Sequence, residues 1–179
     1  MSRLLELCLP HLLTYGQYIQ RLDSVLTSSE DIQTMEDAKI YWQKHFGNKT
    51  LNVVVKSGKN PNGTPKKIPI KVFFDKDNNH AFTEDELKTG DNALRLFNLK
   101  RAQAMDSIIP TIQAPHIRFK HHGADLLLER VVDGHHFTIV LQWQNFQGRY
   151  RFQSAHHKSI EQVTVLYRGK DTQKGEGPL

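Results

Sequence analysis

Wound as a helix, the chain brings Leu94, Phe97, Leu99, Ala102, Met105, Ile108 and Ile109 to one apolar side. That spacing predicts a long amphipathic helix over residues 91–109, ended by Pro110. From Pro115 onward the period falls to two, and HIRFK, ADLLLERVV, HFTIVLQW, RYRFQS and VTVLYR read as strands of five to nine residues. The turns between them carry HHG, DG and QG and are too short for crossover helices, so neighbouring strands should run antiparallel. Alternation also assigns faces. Phe137, Ile139, Leu141 and Trp143 share one side of their strand, while His136, Thr138, Val140 and Gln142 share the other. In RYRFQS, Tyr150, Phe152 and Ser154 oppose Arg149, Arg151 and Gln153, so each strand should bury one face and show polar groups on the other.

Before this unit the pattern is mixed. Helical spacing over residues 4–26 is interrupted by Pro10, and TSSEDIQTMEDAKIYWQKHFG supplies a serine cap, early acids and a closing glycine for a second helix. Leu51–Val55 and Ile68–Phe74 form a predicted hairpin around a long basic loop, KSGKNPNGTPKK. In the polar stretch after it, Thr83 is placed as the cap of a short acidic helix. The fold class is therefore α+β, with N-terminal helices and then a long helix packed on a twisted antiparallel sheet. The domain reading is 1–66 for the helices and hairpin, 67–170 for the helix and sheet, and 171–179 for a flexible polar tail.

Composition narrows what such a domain does. No window approaches the roughly 18 apolar residues of a spanning helix, and no association with a membrane is expected. Glu6, Pro10 and His11 break the opening apolar run and no small-x-small cleavage pattern follows, so a secretion signal is not expected. One cysteine, Cys8, allows no intramolecular disulfide. Cytoplasmic folding is the default, with delivery into a target cell as a variant.

Charge divides the chain. Residues 1–93 hold 12 Lys+Arg against 12 Asp+Glu, whereas residues 94–170 hold 11 against 5. Seven of the ten histidines lie between His116 and His157. A basic surface dense in groups that titrate near neutrality suits an anionic polymer and proton transfer; a solvated basic face is the structural alternative. The doublets His121-His122, His135-His136 and His156-His157 do not make a metal site. Adjacent strand residues point to opposite faces, and no HExxH, CxxC or His-x-His completes a set. No cofactor is expected, because GxGxxG, GxxxxGK[ST] and GxSxG motifs are all missing.

Cleaving RNA without a metal needs a base for the 2′-hydroxyl, an acid for the leaving oxygen, and cations around the phosphate. The segments RFKHHG, LLER, DGHHFT and RFQSAHHKS are dense in residues for those roles. The order RLFNLKRAQAMDSI, proline, then RYRFQSAHHKS and VLYRG resembles the nuclease superfamily named for barnase, EndoU, the colicin tRNases and RelE. It is most similar to the phage-associated branch, over roughly residues 68–170. There a strand ends in Thr/Ser-Ala-aromatic; here Ser154-Ala155-His156 stands in that place, and His156 departs from the usual aromatic.

The resemblance implies a metal-independent endoribonuclease, a toxin or phage-conflict effector leaving a 2′,3′-cyclic phosphate. It implies Ser154 as a phosphate-orienting hydroxyl, Arg101 and Arg130 as stabilisers of transition-state charge, and His156 or His80 as acid/base. Lys66, Lys67, Lys120, Arg149, Arg151 and Lys158 would contact RNA, with tRNA as one substrate and an acidic immunity protein or antitoxin as a partner. Each residue has an ordinary alternative: Ser154 a strand end, Arg130 an edge ion pair, Arg101 a solvated helix residue, His80 a turn residue bonded to backbone. The rival reading of the whole is an inactive RNA- or protein-binding module on the same fold.

Overall fold

The computed structural model describes residues 26–85, 95–115, 118–122 and 125–171, the side chains of 56–58, 85, 118–122 and 167–171 excepted. The helix expected over 4–26 lies outside the described residues except for Leu26, as do Cys8 and all of the tail expected over 171–179 except Asp171, which ends the last helix. The class is α+β. A single 3₁₀ turn, Ser29–Asp31, leads into α1 (Met35–His45), followed by β1 (Lys49–Lys59) and β2 (Pro65–Phe74). A two-stranded ribbon of β3 (Thr83–Asp85) and β4 (Arg95–Phe97) precedes α2 (Leu99–Gln103), a 3₁₀ turn Met105–Ser107 and α3 (Ile108–Gln113). The chain then lays down β5 (Arg118–His122), β6 (Asp125–Val132), β7 (His135–Gln144), β8 (Arg149–His156) and α4 (Ile160–Asp171).

Six strands form one sheet in the order β1-β2-β8-β7-β6-β5. The meander β5 to β8 is antiparallel throughout, as the short turns require. The hairpin joins it through a short parallel pairing, Val72 opposite Tyr150 and Phe73 opposite Arg151. One sheet and one core therefore run across the boundary drawn between residues 66 and 67. The core is built on an aromatic nest: Trp42 stacks on Phe46 at 4.7 Å, and Phe74 on Phe152 at 5.6 Å. Burying each ring stabilises by about 2–3 kcal/mol before conformational entropy is subtracted.

Several local expectations are corrected. The amphipathic run 91–109 is not one long helix: residues 95–97 are strand, Asn98 caps α2 by accepting from the Arg101 N–H at 3.0 Å, and the chain breaks again through Met105–Ser107. Pro110 does not end a helix but sits in the first turn of α3, where its missing N–H has no intrahelical partner to lose. Thr83 is not a cap; it is a fully buried strand residue whose hydroxyl donates to the Asn79 carbonyl at 2.8 Å. The basic loop is shorter than expected, because Lys56 pairs with Lys67 and Lys59 with Pro65. The second helix starts at Met35 on a Thr34 capping box, after the Ser28-capped 3₁₀ turn.

The largest correction is VTVLYR, which is helix and not strand. Ser159 and Gln162 bond reciprocally, the Ser159 N–H donating to Gln162 Oε1 at 3.0 Å and the Gln162 N–H to Ser159 Oγ at 3.4 Å. That capping box starts α4, and Ile160 and Val163 then pack on Leu127 and Val140. The β-branched residues' strand preference yields to this burial. Consequently the face carrying Thr138 and Val140 is also covered. In β8 strict alternation fails as well, since Val140 pairs with Ser154 but Leu141 with Phe152, leaving Gln153 as a bulge.

Candidate active site

β8 ends beside an open stretch of sheet edge, because β2 pairs with it only as far as Arg151. The segment after β2 fills that gap, with Asn78 Nδ2 donating to the Phe152 carbonyl at 2.8 Å. Against this edge three of the sequence-predicted residues meet. Arg101 Nη2 lies 2.9 Å from His156 Nδ1, and His156 Nε2 lies 2.9 Å from Ser154 Oγ. A guanidinium only donates, so His156 Nδ1 accepts and its Nε2–H donates to the serine. Arg101 Nη1 also donates to the Thr83 carbonyl. Both ring nitrogens of His156 are thus engaged, and the chain of bonds locks the end of β8 to α2.

Arg130 is not in that chain. It lines a neighbouring cavity of about 320 Å³ between the ends of β6, β7 and β8 and the segment 104–111, with His135, Phe137, His157 and Thr111. His157 sits edge-on to the Phe137 ring at 5.4 Å, and its Nε2 is 3.2 Å from the Lys100 carbonyl. A carbonyl only accepts, so Nε2 carries the proton and Nδ1 is the basic atom of the neutral ring. Burial pushes the His157 pKa below the ordinary 6.5; Lys100, Arg101 and His135 push the same way, against the carbonyl bond that raises it.

Two donors in this cavity wall are unmatched: Arg130 Nε and Thr111 Oγ are buried without a hydrogen-bond partner, Thr111 being 0% exposed. Asp106 brings a carboxylate to the same wall. Burial would raise its pKa, but bonds from Tyr41, Ser29 and Ser28 outweigh it and hold the group below its usual value. Its own burial, and after it the same contact, push the Tyr41 phenol far above its usual range.

The other predicted residues lie elsewhere. His80, whose backbone N–H donates to Asn78 Oδ1 at 2.9 Å, lines a separate cavity of about 280 Å³ with Gln142, Arg151 and Gln153. Arg151 pairs with Asp75 at 2.9 Å, and Arg149 stacks over Phe73 at 4.0 Å. Lys66, Lys67 and Lys158 are exposed. The Lys120 side chain lies outside the described residues.

Sequence reasoning did not single out His135, His157 or Thr111. The doublets were the signal, but choosing the member that faces the cavity needed the bulge at Gln153. Nor did it single out Glu129, 1% exposed, which pairs through Oε1 with His136 Nδ1 and accepts the Ile160 N–H on Oε2 at 3.0 Å. No cluster of three or more His, Cys, Asp or Glu with metal-binding geometry occurs among the described residues, and no described helix is long and apolar enough to cross a membrane. No family model matches this chain, and no curated protein or solved structure does.

Proposed function

We propose that this chain is a metal-independent endoribonuclease whose reaction takes place in the cavity of Arg130, His135 and His157. The observation that carries the reading is the pair of unmatched buried donors, Arg130 Nε and Thr111 Oγ, beside two imidazoles. Buried donors are rarely left without acceptors, and the Arg130 guanidinium, which lines the cavity, is a charge-assisted donor for a phosphate oxygen. His157, neutral because its pKa is lowered, removes the 2′-hydroxyl proton through Nδ1. The 2′-oxygen attacks phosphorus, Arg130 stabilises the added charge, and His135 protonates the departing 5′-oxygen. The products are a 2′,3′-cyclic phosphate and a free 5′-hydroxyl, the chemistry implied by the barnase, EndoU, colicin and RelE resemblance.

Ser154, His156 and Arg101 take a positioning role in this scheme. Their bonds hold the end of β8, and so His157, against α2, and Arg101 adds positive charge beside the ring. The test is cleavage of total tRNA and of a generic RNA in chelator by wild type and by His157→Ala, His135→Ala and Arg130→Ala. Discrete products with cyclic-phosphate ends are expected from wild type. Loss of a general acid or base lowers the rate by about 10²–10⁴. RNA left intact by wild type would overturn the proposal.

A further inference from the structure

The core face of β7 starts at the cavity, with Phe137, and ends with Trp143 near the other end of the strand. There Trp143 meets Tyr150 edge-on at 5.0 Å yet stays 37% exposed. A second cavity of about 560 Å³ lies between these rings and the hairpin, where Val54, Pro69 and Lys71 line it. Val54 is 52% exposed, and Phe146, at the β7–β8 turn, is fully exposed at 102%. Exposed apolar side chains gathered in this way mark a surface that binds something.

Charge says what. Residues 49–74, which include β1 and β2, carry Lys49, Lys56, Lys59, Lys66, Lys67 and Lys71 and no Asp or Glu at all. The turn 144–151 adds Arg149 and Arg151, again without an acid. Arg151 is paired with Asp75, and Asp125 brings negative charge to the Tyr150 side, so the positive charge beside the cavity comes from the hairpin, through Lys71 in its lining and the exposed Lys66 and Lys67 on the same strand. An apolar helix from a partner would use the rings and leave the lysines unmatched. An acidic polypeptide would use the lysines and leave the rings without stacking partners. A polymer of phosphates and flat bases satisfies both.

We infer that this surface binds single-stranded RNA, with bases stacked on Trp143 and phosphates on the hairpin lysines, as a second contact remote from the cleavage cavity. The inference rests on the ribonuclease reading for the choice of polymer, but its test does not require cleavage. Six residues of strand separate Phe137 from Trp143, about 20 Å. A strand rising about 3.4 Å per nucleotide needs about six nucleotides to reach both.

The probe is a 2′-O-methyl oligouridylate about twelve nucleotides long, twice that reach, which lacks the hydroxyl nucleophile. Binding is followed by anisotropy and by tryptophan emission. The emission change reports on Trp143, because the only other indole, Trp42, is buried at 1%.

Wild type is expected to bind with quenched emission and with affinity that falls as salt rises. Trp143→Ala should weaken binding at least about fivefold, the loss of one stacked base, and Trp143→Phe should recover most of it. Lys66→Glu with Lys67→Glu and Lys71→Glu should lower the slope of log affinity against log salt by about two. Because the probe cannot be cleaved, its binding by wild type does not depend on turnover, and a failed cleavage assay leaves this result standing. Unchanged affinity in Trp143→Ala, unchanged emission in wild type, or equally tight binding of polyglutamate would each overturn the inference.

Discussion

Removing the Glu129 carboxylate is the sharpest test of how the sheet and α4 are joined. Glu129 is 1% exposed; Oε1 pairs with His136 and Oε2 accepts the Ile160 N–H at the start of α4. Hydrogen bonds to a charged group contribute about 1.5–3 kcal/mol each. The His136 side chain is 47% exposed, so water replaces much of what it loses and its share falls to about 1 kcal/mol. The Ile160 N–H is buried and has no such substitute, which leaves about 2 kcal/mol at that end. Glu129→Ala should therefore cost about 3 kcal/mol, the sum of the two. His136→Ala, which spares the Ile160 bond, should cost about 1 kcal/mol. Urea unfolding at unchanged m measures both, and hydrogen exchange at Val163 and Thr164 should speed up in Glu129→Ala alone. Equal losses in the two variants would refute the reasoning, because they would mean that Glu129 serves only His136.

Two further predictions follow from the site and from α4. Cleavage should fall on the acid side as His157 protonates, below pH 6.5 because its pKa is lowered; Lys100→Ala keeps the carbonyl, removes a cation and should move that limb upward. The sign for stability is the same: the unfolded chain takes up this proton at higher pH than the folded one, so stability is lost as pH falls through 6.5 toward the folded value. An unmoved limb in Lys100→Ala would take His157 out of the base role. Ser159→Ala combined with Gln162→Ala should cost about 1 kcal/mol as the α4 capping box is lost, read by thermal unfolding; no change would mean that burial alone sets the start of α4.

The meander was legible because its signals are local. A period of two and short turns decide antiparallel neighbours without reference to the rest of the chain. The hairpin was legible for the same reason. The elements that misled are those where distant residues decide. The run 91–109 has helical spacing, yet residues 95–97 pair with Thr83–Asp85 and Asn98 starts the helix afresh. VTVLYR has strand composition, yet Leu127 and Val140 offer an apolar face on which Ile160 and Val163 of α4 pack. Neither partner can be read from the segment itself.

The site shows the same division at the scale of one residue. The sequence presents a doublet, His156-His157, and alternation alone carries Phe152, Ser154 and His156 to the core side. The structure instead places both Phe152 and Ala155 in the core, three residues apart, which uninterrupted alternation forbids. The extra residue is Gln153, opposite the step from Val140 to Leu141. After it, Ser154 and His156 fall opposite Val140 and Thr138, on the side that α4 covers, and His157 comes round to Phe137 and the cavity. One inserted residue thus decides which imidazole is bonded on both nitrogens and which keeps a lone pair beside Arg130. Composition could announce that histidines mattered here, but only the register of β8 against β7 could say which one.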